Sequence, residues 1–266
     1  MFEGPLDEGM LRVARDGGLV EIQVVNLREF TDDPHRSIDD YPYGGGPGMI
    51  LKVEPVARAL AALPPPLEDR REVVLLSPQG EVCRQPLVRL LVETRDVVLV
   101  LGRYKGLDER IRSFVTREVS LGDFILSGGE PAELALADAM ARLVPGVLGD
   151  LDSALSDSFE TGILDSGYYT RPEVFRGMRV PGELLSGDHE RIRQARRRDA
   201  LSRTFRRRPD LLETASLSKA EIAWLKEQGW TPTADAEGRI EGTRAGVSPR
   251  GRRTSPGRDR SRRPAG

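Results

Sequence analysis

The 266-residue sequence predicts an α/β fold organised around a mainly parallel sheet. Three observations carry this. Residues 73–76 (Val-Val-Leu-Leu) and 97–101 (Val-Val-Leu-Val-Leu) are short continuous apolar runs, the pattern of strands covered on both faces. A third run opens at Val119 and Leu121, breaks at Gly122-Asp123 and resumes as Phe124-Ile125-Leu126. Helical patterns separate the runs, and each run ends in a glycine or Ser-Pro corner. In an open parallel sheet, ligands bind at that end of the strands, so the three corners can build one cleft.

The bulk properties narrow the class. Hydrophobic content is 38% and charged content 31%, the balance of a soluble globular protein of one large or two modest domains. No apolar run approaches a membrane span, and no signal peptide precedes the first charges, so a cytoplasmic location is expected. Cys83 is the lone cysteine, and His35 and His189 are the two histidines. That excludes an internal disulfide and disfavours a Cys/His zinc site. Carboxylates and phosphates would hold any metal, which suits magnesium. The net charge of −2 hides an uneven distribution. Residues 191–208 contain nine arginines against one acid, Asp199. Such a local basic surface is what meets phosphate.

Residues 1–18 read as a helix and turn, with Leu6, Met10 and Val13 at helical spacing and Gly17-Gly18 as the stop. Residues 21–27 alternate through Ile22 and Val24, which predicts a strand. A polar loop, 28–40, leads into 41–49 (Tyr-Pro-Tyr-Gly-Gly-Gly-Pro-Gly-Met). So many glycines and prolines exclude helix and central strand. No Gly-Lys-Ser/Thr follows and no dinucleotide fingerprint is present, so a surface loop and a ligand loop both remain open. Residues 54–63 predict a helix stopped by three prolines, 64–66. The strand at 73–76 ends at Ser77-Pro78-Gln79-Gly80, and helices are predicted at 86–93 and 108–117. After Ser127-Gly128-Gly129, Pro131 suits the first turn of a helix with an apolar stripe at Ala132, Leu136, Ala139, Met140 and Leu143. Arg142 falls in its last turn, where a cation meets the helix dipole.

Residues 149–167 are polar and patternless, with Asp150, Asp152, Asp157 and Asp165, and read as an inter-domain linker. Residues 172–230 predict an all-helical unit. Asp188 caps the arginine-rich helix, Pro209 ends it, and Ser218 with Glu221 forms a capping box for a last helix stopped by Gly229. The tail, 231–266, has almost no apolar residues and reads as disordered and basic. The expected division is therefore an α/β domain at 1–148, the linker, a helical domain at 168–230, and the tail.

Seven motifs occur in a fixed order: 42–49 (P-Y-G-G-G-P-G-M), 76–80 (L-S-P-Q-G), 102–110 (G-R-Y-K-G-L-D-E-R), 121–130 (L-G-D-F-I-L-S-G-G-E), 144–149 (V-P-G-V-L-G), 169–174 (Y-T-R-P-E-V) and 184–189 (L-L-S-G-D-H). Together they resemble the bacterial tRNA (guanine-N1)-methyltransferases of the TrmD type, members of the SPOUT superfamily, over about residues 1–230. The resemblance implies a C-terminal trefoil knot in the sheet domain, a rare exception to unknotted chains. It implies S-adenosylmethionine as cofactor, magnesium, and a homodimer with active sites at its interface. The implied substrate is tRNA with guanine at position 37 preceded by another guanine.

Carried over motif by motif, the cofactor pocket comprises Leu76, Ser77, Pro78, Gly102, Tyr104, Ser120, Leu121, Gly122, Asp123, Phe124, Ile125, Leu126, Ser127, Gly128 and Gly129. Asp157 is the implied general base, and Arg142 the implied partner of the guanine oxygen. Gly46, Arg171, Arg191, Arg193, Arg196 and Arg197 are the expected tRNA contacts. Two departures stand out. Family members start with an apolar strand and a Phe-Pro-Glu-Met-Phe turn, whereas this sequence starts at Met1-Phe2-Glu3, about ten residues later, which would leave a sheet edge open. Lys105 stands where many relatives carry glutamate, reversing a charge near the methionine end of the cofactor. Two alternatives are an RNA-binding protein of this fold without catalysis, disfavoured by the presence of Arg142 and Asp157, and an ordinary doubly wound nucleotide enzyme, disfavoured by the missing phosphate loop.

Overall fold

The computed structural model describes residues 1–103, 105–149 and 156–233. Two short helices, α1 (Glu3–Leu6) and α2 (Gly9–Asp16), open the chain. A two-stranded antiparallel pair, β1 (Asp39–Asp40) and β2 (Ile50–Leu51), brackets the glycine-rich loop and leads into α3 (Val53–Ala61). The expected sheet follows. Its central strand is β3 (Glu72–Val82), flanked by β4 (Val97–Leu101) and β5 (Arg117–Ser120), with all pairings parallel. Helix α4 (Gln85–Thr94) makes the crossover from β3 to β4, a 3-10 stretch lies between β4 and β5, and α5 (Glu130–Ala141) follows the last strand.

The continuous apolar runs are explained by cores on both faces. Val74 and Leu76 pack with Leu87, Leu91, Val119 and Leu136. Leu75, between them, points the other way and packs with Leu51, Val56, Val100 and Ile111. Val74 and Leu75 are fully buried. Burying each such side chain contributes about 1.5–3 kcal/mol, so the sheet needs both layers.

The Ser77–Gly80 corner does not end the strand. Val119 of β5 pairs first with Leu76 and again with Glu81, so four residues of β3 loop out between two paired stretches. Gly80 makes this possible. A side chain there would collide with the backbone of Val119 and Glu118, with Glu118 O only 2.6 Å from the added carbon. Past the bulge, the Cys83 amide donates to Ser120 O at 2.7 Å.

Four further expectations are corrected. Residues 21–26 are assigned no strand and make no ladder pairing among the described residues; alternation alone makes no strand without a partner. Residues 108–117 are not one helix: a 3-10 stretch, Glu109–Phe114, is capped by Asp108 and passes into β5. Phe124, Ile125 and Leu126 do not resume the strand; they form an exposed loop. The segment 172–230 is not wholly helical. β6 (Val174–Phe175) and β7 (Met178–Arg179) form a hairpin, because Arg176 and Gly177 both adopt positive φ, as a two-residue hairpin turn requires. Arginine is an unusual occupant of that position, so no turn signal was visible.

The remaining C-terminal elements agree with the sequence. Asp188 caps α6 (His189–Arg207), accepting from the Glu190 and Arg191 amides. Ser218 and Glu221 form both halves of the capping box of α7 (Lys219–Glu227). Leu201, Leu212, Ile222, Leu225 and Trp230 build a separate core, joined by Ile163 from the preceding segment. The tail beyond residue 233 lies outside the described residues, and so do Asp150 and Asp152. Among the described residues, no helix is long and apolar enough to cross a membrane.

Candidate active site

Leu76, Leu101 and Val119 form one row across the sheet, so Ser77 and Gly102 leave it side by side, while Ser120 ends β5 paired with Val82. The loops that follow are laced together. Arg103 and Gly128 form an antiparallel bridge, and the Gly129 amide donates to Gly102 O at 3.0 Å. Gly129 has to be glycine here, since an added side-chain carbon would lie 2.6 Å from Leu101 Cβ. Arg103 also pairs with the buried Glu130 at the start of α5. The structure thus brings Leu76, Ser77, Pro78, Gly102 and residues 120–129 to one edge of the sheet. Tyr104 lies outside the described residues.

Within this group the roles divide. Ser120 is buried, and its hydroxyl holds the loop, accepting from the Gly122 amide and donating to Gly122 O, both at 3.2 Å. Leu121 packs on the core. Phe124, Ile125 and Leu126 are exposed, and among the described residues no backbone group engages the amides of Ile125, Leu126 and Ser127. This edge therefore offers open backbone donors and bare glycine corners beside an apolar surface, the requirements for an adenosine-like group. One turn into α5, burial and then the Glu130 carboxylate push the Glu133 carboxyl from 4.5 up to about 7. The glycine-rich loop closes on the same edge: the Lys105 amide donates to Met49 O at 3.2 Å and the Leu51 amide to Gly106 O at 3.0 Å. Gly46 is exposed in that loop with φ +121.

A second cleft, of about 340 Å³, lies where α5 ends. Its lining includes Gln85, Ala139, Arg142, Leu143, Asp157, Phe159, Glu160 and Asp165. Arg142 terminates α5, and its Nη2 lies 2.5 Å from Asp157 Oδ2. Both side chains are more than two-fifths exposed, so the pair adds little to stability. Its chemistry is a carboxylate able to take a proton beside a guanidinium with further donors. Asp157 begins a tight turn in which the Phe159 amide donates to Ile163 O at 2.7 Å, and Phe159 itself sits at φ +76. A bulky residue in that region is strained and held by its surroundings. Gly162 also has positive φ and packs against Ala215.

Among the expected tRNA contacts, Arg171 precedes a cis proline and is exposed. Arg191 and Arg193 are exposed on α6, Arg193 pairing with Glu190. Arg196 lies 5.3 Å from the Tyr168 ring centroid. Arg197 is spent on Glu221 at 2.6 Å. Asp199 accepts from the Gly167 amide and from Arg203. Burial raises its pKa, but these two partners more than offset that and leave it below the ordinary carboxylate value. No group of three or more His, Cys, Asp or Glu residues able to hold a metal exists among the described residues, so a protein-caged magnesium finds no fit there.

Sequence reasoning missed Gln85, Arg89 and Glu160. The Glu160 side chain is only 2% exposed, accepting from Gln85 Nε2 at 2.6 Å and Arg89 Nε at 2.7 Å. No sequence signal marks it, because a glutamate in a polar segment reads as solvated.

Comparison with known proteins gives concordant matches. The family model described as tRNA (Guanine-1)-methyltransferase TrmD matches residues 1–214. A relative from Dictyoglomus turgidum is 51% identical over 227 residues, covering 85% of this chain and 91% of its own. A Moorella thermoacetica relative is 47% identical over 229 residues, covering 85% and 92%, and one from Anoxybacillus flavithermus is 46% identical over 228 residues, covering 85% and 93%. All three carry the name tRNA (guanine-N(1)-)-methyltransferase.

Proposed function

The chain belongs to the tRNA (Guanine-1)-methyltransferase TrmD family, and from that premise we propose that it methylates N1 of guanine-37 in tRNA, with Asp157 as general base and Arg142 as the electrostatic partner of the guanine oxygen. S-adenosylmethionine, when bound at the strand ends, supplies an electrophilic methyl group. The open amides of residues 125–127 and the bare corners at Gly102 and Gly129 support that placement.

The single observation that carries the mechanism is the 2.5 Å contact between Arg142 and Asp157 in a cleft large enough to admit part of a base. Guanine N1 carries a proton and is a poor nucleophile until that proton leaves. A carboxylate within hydrogen-bond reach takes it, which is general-base catalysis. As the N1–H bond breaks, negative charge spreads to O6, and a guanidinium already in place stabilises it without reorganisation. The base has to leave its stack to reach the cleft, so it is read as flipped out of the anticodon loop. The exposed arginines of α6, with Arg171, supply phosphate contacts. The remaining parts of this reading are a SPOUT-type trefoil knot, a homodimer, a preference for guanine at position 36, and a cytoplasmic setting. Magnesium, if used, is held through phosphate and water; no step here depends on it. Lys105 packs against Gly48 of the glycine-rich loop, and in this reading its side chain would stand near the amino end of the cofactor.

The test is methyl transfer from labelled S-adenosylmethionine to an unmodified tRNA transcript with guanines at 36 and 37, beside the same transcript with adenine at 37. Label on the first alone supports the reading. Label on both, or on neither with a folded protein that binds tRNA, rejects it.

A further inference from the structure

We propose that Glu160 is a positioning residue for methyl transfer, docking the segment that carries Asp157 onto α4 and thereby setting Asp157 against Arg142. The inference rests on the assignment of Asp157 and Arg142 made above and names the device that assembles them.

The geometry is specific. Glu160 lies three residues after Asp157, and its amide donates to Asp157 O at 3.3 Å, a turn that overlaps the one closed by the Phe159–Ile163 hydrogen bond. The turn therefore moves as a unit, and whatever fixes Glu160 fixes Asp157. What fixes it comes from far away in sequence: Gln85 and Arg89, on successive turns of α4, 75 and 71 residues upstream. Gln85 donates to one carboxylate oxygen and Arg89 to the other, so the side chain is gripped at both ends. The grip is dry. The Glu160 side chain is 2% exposed, whereas the acidic side chains in the Arg15–Asp7 and Arg58–Asp32 pairs are 68% and 85% exposed. A carboxylate is buried this deeply only when its partners hold it in one place, because an unpaired buried charge is strongly penalised. Gln85, Glu160, Asp157 and Arg142 also line one cleft, so the clamp and the reacting groups share a wall. A small displacement of a general base costs rate far more than binding.

The experiment measures kcat and KM for tRNA, and S-adenosylmethionine affinity, in Glu160→Ala, Arg89→Ala, Arg89→Lys and the Glu160→Ala/Arg89→Ala double variant. The expected result is a fall in kcat of roughly ten- to a hundredfold in both alanine variants, with cofactor affinity held within about twofold. Arg89→Lys recovers most of the rate, and the double variant is no slower than Glu160→Ala alone, since one clamp has been removed twice. A folded Glu160→Ala enzyme with normal kcat overturns the proposal, as does an equal loss of cofactor affinity. If Glu160→Ala does not fold, Arg89→Ala decides, because Gln85 still donates to the carboxylate left behind; normal kcat there also overturns it. Asp157→Asn run in parallel separates the two readings. Loss of turnover in Asp157→Asn with normal turnover in Glu160→Ala sinks the clamp alone. Retained turnover in Asp157→Asn sinks the assignment beneath it.

Discussion

Arg142 Nη2 and Asp157 Oδ2 lie 2.5 Å apart although fifteen residues separate them in sequence. The end of α5 supplies the arginine, and a strained turn supplies the aspartate. Neither element buries the pair, so the contact is explained better by chemistry than by stability. Asp157→Asn keeps the side chain's shape and removes its basicity. It should abolish turnover while leaving cofactor affinity unchanged by calorimetry. Arg142→Ala should lower kcat by roughly 10²–10³, the range for losing one transition-state donor.

Gly80→Ala tests the bulge in β3. The added carbon would lie 2.6 Å from Glu118 O, with backbone closer still. No rotamer change relieves a clash with backbone, so β3 and β5 have to separate. Chemical denaturation should show a loss of about 3 kcal/mol or more, near the top of the range for single substitutions. Wild-type stability in this variant would mean that the two strands do not meet at Gly80.

The arginines of α6 divide into two kinds. Arg191, Arg193 and Arg196 are exposed, so replacing all three with alanine should weaken tRNA binding. It should also flatten the slope of log affinity against log salt by about 2 to 3. Arg197 pairs with Glu221 of the following helix. Arg197→Ala should instead lower the melting temperature and leave the salt slope nearly unchanged. Binding measured across a salt series distinguishes the two.

Glu133 makes stability depend on pH. Its carboxyl is raised from 4.5 to about 7 by burial and by Glu130. Between those values the folded state holds a proton that the unfolded chain releases, so stability falls as pH rises through the window, and the penalty is complete above about pH 7. Glu133→Gln removes it. The variant should gain about 2 kcal/mol over wild type at pH 8, discounted for partial solvation, and nothing at pH 4. An equal gain at both pH values would contradict the assignment.

Periodicity and capping chemistry were legible in particular places. The run at residues 97–101 became β4, and Asp188, Ser218 and Glu221 cap the helices they were expected to cap. These signals act within a few residues and leave a local trace. The failures share the opposite cause. Residues 21–26 alternate like a strand yet pair with nothing described, and the hairpin at Val174–Arg179 turns on an arginine with positive φ. Strand formation depends on a distant partner, and backbone sign at one residue is set by packing.

Residue order alone sets out the parallel sheet, the glycine corners at 102 and 127–129, the arginine-rich helix and, through seven ordered motifs, the family. Long-range packing is what sets Gln85 and Arg89 on Glu160, gives Arg197 to Glu221 while Arg191 stays exposed, and brings Arg142 into contact with Asp157. Propensity, caps and hydrophobic period act between neighbours and are written in residue order. Partners for a buried charge are chosen by how remote elements pack, and a glutamate on paper looks the same whether water or a guanidinium will surround it.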